Sequence, residues 1–120
     1  MTHSALALLS LVACIISGEC GGVLPEAAPY IAECVMTRYA QGDALADIRC
    51  AFHGTANRAL GYAVPVAWDA IAQGGDPGGL AFALSAADRQ RLRIAARPDR
   101  VVSRGRWSIA FYRTLEGATW

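Results

Sequence analysis

The acid in IISGECGG (residues 15–22) is the residue of this chain best placed for chemistry. An apolar run of helical character ends on Glu19, and Cys20 and the pair Gly21–Gly22 follow at once. A glutamate at a helix end with a partly desolvated carboxyl holds its proton toward neutrality, because burial disfavours the charged form. The negative end of the helix dipole pushes the same way. The glycines leave room for a bulky ligand to approach the backbone. Glu19 is therefore either a solvent-facing helix end or a positioned general acid, and the pattern leaves both open.

Glu26, Asp43, Asp69 and Asp76 are the other acids within reach of a cleft, and none is a persuasive partner for Glu19. The cysteines Cys14, Cys20, Cys34 and Cys50 fit no zinc spacing, and Cys50-x-x-His53 is only half of a site. They read as small buried apolar residues, with any disulfide pairing left open and dispensable for the fold. No metal and no cofactor is expected.

At 120 residues the chain is long enough for one domain with a real core, spanning residues 1–120. A composition 54% hydrophobic and 18% charged excludes disorder. No uncharged apolar run of the roughly 18 residues that a membrane span needs occurs without including Gly18 and ending at Glu19. The net charge of +1 hides an asymmetry: residues 89–120 hold eight arginines against Asp99 and Glu116. Such a basic third can meet DNA or an acidic glycan. An ordinary solvated surface outweighs that reading, since no aromatic residues interleave with Arg89, Arg91 and Arg93 as a single-strand platform requires. No nucleic-acid partner is expected.

The first residues, MTHSALALLSLVACIISG, have the oiliness of a secretory signal, and LVAC has the look of a lipoprotein box ending in Cys14. The segment before the apolar run carries His3 but no lysine or arginine, where a signal wants positive charge. It reads as mature structure, with the lipoprotein alternative open.

The elements that must position Glu19 follow from caps and breakers. Ser4 caps a helix from Ala5 to about Ser17, with Gly18 near its stop. Leu6, Leu9, Ala13 and Ile16 fall on one face and Leu8, Leu11 and Ile15 on another, so the helix is buried on most sides. Pro25 or Pro29 opens a second helix reaching about Ala40, with Ile31, Val35 and Met36 inward and Glu33 and Arg38 toward water. A short helix in DALADIRCAF takes Asp43 as cap, and HGTANRALGY is irregular. PVAWDAIAQGG is a further helix, GGDPGG a tight turn, LAFALS a strand, and SAAD the start of another helix. DRVVSRGRWSIAFYR reads as a hairpin turning near Gly105. Helices first and a small antiparallel sheet late make a mainly helical α+β domain.

In that order the sequence resembles the SleB-like cell-wall hydrolases, the spore-cortex-lytic group of peptidoglycan-cleaving enzymes. Four stretches carry the resemblance, from about Ala5 to Arg113. IISGECGGVLPEAAPYIAECVMTR resembles the family's helix ending in glutamate, a Gly/Pro turn and a helix closing on Asn-Arg, here Thr37-Arg38. RCAFHG stands at the family's Gln-Phe-Ser segment, with Ala51 replacing the glutamine. AWDAIAQGGDPGGLAFALSAAD follows the family's helix, Gly-Asp-Pro turn and Phe-containing strand. RWSIAFYR resembles the closing strand without its usual Gly-x-His.

The resemblance implies a lysozyme-like fold and cleavage of the glycan strands of peptidoglycan, with Glu19 at the place of the catalytic glutamate. It also implies a lytic transglycosylase scheme, in which one glutamate acts as acid and then as base toward the muramyl 6-hydroxyl, without a second carboxylate. Phe52, His53, Phe82, Ser85 and Tyr112 lie at or beside the matched stretches and become candidates to line the glycan groove. Phe52 and Phe82 also have the spacing of core residues, and Tyr112 either reaches the cleft or closes the core. The lost Asn, Gln and His positions leave a competing expectation: a catalytically degenerate glycan-binding or structural module, for example in a phage particle.

Overall fold

A computed structural model describes residues 4–52 and 54–115. Helix α1 (Ala5–Cys20) is followed by a 3₁₀ turn (Pro25–Ala27), α2 (Ala28–Ala40), α3 (Leu45–Ala51) and α4 (Ala63–Gln73). Then come strand β1 (Phe82–Ser85), helix α5 (Ala86–Arg91), β2 (Arg100–Arg104) and β3 (Trp107–Tyr112). The architecture is α+β, with a three-stranded antiparallel sheet of order β1-β3-β2 in the C-terminal part. Among the described residues, no helix is long and apolar enough to cross a membrane.

Helix α1 is the hub. Ser4 caps it by accepting the Ala7 N–H at 3.1 Å, a contact worth about 1 kcal/mol in such positions. Every residue from Leu11 to Ser17 is buried, and α2 and α4 pack against the helix and against each other. Val12, Ile15 and Ile16 are fully buried, each contributing about 1.5–3 kcal/mol over an exposed position. The N-terminal part departs from the all-round pattern: Ala5, Leu6, Ala7 and Ser10 are exposed, Leu6 at 71%.

The end of α1 differs from the sequence expectation. The helix runs past Ser17 and Gly18 to Cys20, and Gly21 terminates it with a φ of 51° and an N–H donated to the Ser17 carbonyl. Gly18 answers a packing requirement instead: a Cβ there would lie 1.4 Å from the Gly54 carbonyl oxygen. The second helix uses both prolines, Pro25 opening the 3₁₀ turn and Pro29 sitting in the first turn of α2. Asp43 does not cap α3, whose N-cap is Ala44 without a side-chain bond. The Asp43 carboxylate instead lies 3.9 Å from Arg38.

The sheet contains the expected strand in LAFALS and the expected hairpin at Gly105. Ser85 accepts the Asp88 N–H at 3.1 Å, so strand β1 passes directly into α5. Arg104 pairs with Trp107 across a two-residue turn with Gly105 at φ 58°, the primed geometry that suits the twist of a hairpin. On β3, Ile109 and Phe111 face the helical core, while Ala110 and Tyr112 join a smaller cluster with Leu115 on the other face.

All four cysteines are free thiols. Burial, with the negative charges of Glu19 and Glu26 adding to it, pushes the Cys20 thiol up to about 12. Cys34 is raised as well, mainly by burial and then by Glu33. Since the thiolate is the reactive form, a thiol reagent at neutral pH should label exposed Cys50 alone in the folded protein and all four cysteines after denaturation. Rapid labelling of Cys20 or Cys34 in the native state would contradict this packing.

Candidate active site

The loop between α3 and α4 is laced to the C-terminal half of α1. Ala56 donates its N–H to the Cys14 carbonyl at 3.0 Å, and Leu60 donates to the Ser17 hydroxyl at 2.8 Å. Ser17 passes its own proton to the Ala13 carbonyl at 2.7 Å, so this buried hydroxyl is fully used. The Tyr62 hydroxyl donates to the Gly21 carbonyl, pinning the chain where α1 stops. These bonds exist because Cys14, Ser17 and Gly18 are small enough to let the loop backbone lie on the helix.

Within this arrangement the Gly54 N–H donates to Glu19 Oε1 at 3.3 Å. Glu19 is half-buried and lines a cleft of about 450 Å³. The helical side of the cleft adds Val23, Arg38 and Phe52, and the sheet side adds Phe82, Ser85 and Trp107. One edge is therefore a carboxyl group held by a backbone amide, facing a mixed apolar and hydrogen-bonding wall.

Arg38 departs from its expected solvent-facing place. Its side chain is only 19% exposed, and Nε donates to the Ala81 carbonyl at 2.8 Å. The guanidinium lies over the Phe82 ring at 4.8 Å and near the Phe52 ring at 5.8 Å. A planar cation between two rings ties α2 to the end of α3 and to β1 beneath the cleft. Lysine cannot reproduce both the Nε bond and the planar stacking. Arg38→Lys should lower stability by about 1–2 kcal/mol in urea unfolding, and an unchanged midpoint would show the stacking to be inconsequential.

The cleft brings together Glu19, Phe52, Phe82 and Ser85 of the sequence-predicted set. Phe52 is both core and cleft wall, being 5% exposed and part of the main apolar cluster. Ser85 lines the cleft, and its hydroxyl accepts the α5 cap bond. Tyr112 takes the core alternative: it is fully buried and lies outside the cleft lining. Its hydroxyl has no partner among the described residues. His53 lies outside the described residues.

The four acids considered beside Glu19 all fall outside the cleft lining. Glu26 lies 3.6 Å from Arg104, Asp43 faces Arg38, and Asp76 accepts the Gly78 N–H at 2.8 Å to close its turn. Asp88 does line the cleft, from the first turn of α5, with its Oδ1 3.3 Å from Arg91. Sequence reasoning passed over it because SAAD reads as a helix-start signal, which accounts for the Asp without a second role. Among the described residues, no group of three His, Cys, Asp or Glu side chains could hold a metal ion.

Comparison with protein-family models, with curated proteins and with solved structures returns no match to the chain. The functional reading accordingly stands on the cleft and on the order of motifs.

Proposed function

We propose that the protein cleaves the glycan strands of peptidoglycan, with Glu19 as the group that handles the proton. The observation that carries the reading is the half-buried Glu19 carboxyl at the end of α1, held by the Gly54 amide on the edge of a cleft of about 450 Å³. That volume lies within the range of small-ligand clefts. The motif order running from Glu19 through the Gly-Asp-Pro turn to the closing strand supports the same conclusion.

Breaking a glycosidic bond requires a proton on a poor leaving oxygen and tolerance of an oxocarbenium-like centre. Protonated Glu19 gives its proton to the glycosidic oxygen as the C1–O bond breaks, and becomes a carboxylate. It then accepts the proton of the muramyl 6-hydroxyl as that oxygen bonds to C1. The product is a 1,6-anhydro ring, and Glu19 returns to its starting state. This sequence of steps uses one carboxyl group and no water.

A hydrolytic variant draws on Asp88, the second carboxylate lining the cleft. Two-carboxylate enzymes use their partner acid to activate water or to form a glycosyl intermediate. The ion pair of Asp88 with Arg91 at 3.3 Å is exposed and weak, so the loss of rate in Asp88→Asn is what distinguishes the two schemes. The direct test of cleavage is clearing of a turbid suspension of purified peptidoglycan by the protein. A suspension that stays turbid supports the degenerate-module alternative.

A further inference from the structure

We infer that Trp107 is a sugar-stacking platform of the cleft, holding one ring of the glycan strand beside the position served by Glu19. The inference rests on the proposed glycan-cleaving role and names a binding residue for it. On β3, alternate side chains share a face, so Trp107 lies on the same face as Ile109 and Phe111. Ile109 and Phe111 are buried in the helical core, whereas Trp107 is 46% exposed and lines the cleft. The strand outruns the core by one inward position, and that position carries the largest apolar side chain available.

Trp68 is about as exposed but lies outside the cleft lining, so it is the place of Trp107 in the cleft wall, and not exposure alone, that offers its ring to a ligand. The exposed area of Trp107 persists even with the Arg106 guanidinium 5.1 Å from the ring centroid. Sugar rings present apolar C–H faces and an equatorial belt of hydroxyls, so they match an aromatic face flanked by planar polar groups. Here the flanking residues are Asp88 and Arg91 on α5 and Ser85 at the end of β1, all lining the same cleft. Val23, 44% exposed on the helical side just after Glu19, adds a second apolar surface to the lining.

The test uses the full-length Glu19→Gln protein, so that bound strands are not consumed, in co-sedimentation with purified insoluble peptidoglycan. Trp107→Ala in that background should weaken binding about tenfold, as removal of an aromatic anchor does. Trp107→Tyr, which keeps an aromatic face, should restore most of it. Val101→Ala alters an equally exposed apolar residue outside the cleft lining and should change nothing. Equal binding by Trp107→Ala and its Glu19→Gln parent overturns the platform and leaves the role of Glu19 standing. A parent that does not bind at all also overturns it. The cleavage reading then survives only if the wild type still clears peptidoglycan.

Discussion

Glutamine in place of Glu19 should abolish cleavage of peptidoglycan while leaving the chain folded. Gln matches Glu in shape, and its carbonyl oxygen can still accept the Gly54 N–H that now reaches Oε1. What it lacks is a proton to deliver. General acid catalysis contributes about 10²–10⁴-fold, so the rate should fall by at least that factor. In the one-glutamate scheme the same residue serves both steps, and the loss is larger. Glu26→Gln and Asp76→Asn should be nearly silent in the same assay, since neither residue lines the cleft. Asp88→Asn separates the schemes: a modest loss fits one glutamate, and a loss as large as that of Glu19→Gln fits two carboxylates. Retention of more than about a tenth of the wild-type rate by Glu19→Gln is too much for loss of the principal acid.

The second large effect belongs to Gly18→Ala, and it is one of stability as much as of activity. In an isolated helix this change would help by about 1 kcal/mol, because alanine is the better helix former. Here the added methyl would sit 1.4 Å from the Gly54 carbonyl oxygen and 2.8 Å from the Ala56 nitrogen. Neither neighbour is a flexible side-chain end, so the loop backbone must move away from α1. That movement breaks the Ala56–Cys14 and Gly54–Glu19 bonds together. Overpacking of this kind costs about 1–3 kcal/mol or more, and the lost hydrogen bonds about 1 kcal/mol each. The net expectation is a melting temperature lower by roughly 10 °C and an acid no longer held at the cleft. A Gly18→Ala protein with unchanged melting and activity would show that the loop does not lie on α1 as described.

These two residues also mark what can be read from the chain and what cannot. Local signals served well where the physics is local. Ser4 and Ser85 cap their helices, Pro25 and Pro29 open theirs, and Gly105 turns the hairpin. Gly18 misled because a glycine near the end of an apolar run looks the same whether it stops the helix or admits a neighbouring backbone. The neighbour is Gly54, 36 positions further along the chain, and no local pattern announces it. Arg38 misled for a related reason. Charge predicts solvent, but a guanidinium also packs flat on aromatic rings, and Phe82 reaches it only after the Gly-Asp-Pro turn folds β1 back onto α2. Tyr112 and Trp107 show the complementary limit. Alternation assigns each a face of β3, yet only tertiary packing, by the helical layer on the Trp107 face and by the cluster with Leu115 on the Tyr112 face, decides which positions are covered.

The account depends on Glu19 cutting glycan strands, and the products of the reaction test this most directly. Purified peptidoglycan should be digested with the wild-type protein and with Glu19→Gln in parallel, and the soluble fragments identified by mass spectrometry. The wild type should release fragments ending in 1,6-anhydromuramyl residues, and the variant should release none. Peptidoglycan left intact by the wild type, or the same fragments released by both proteins, would contradict the account.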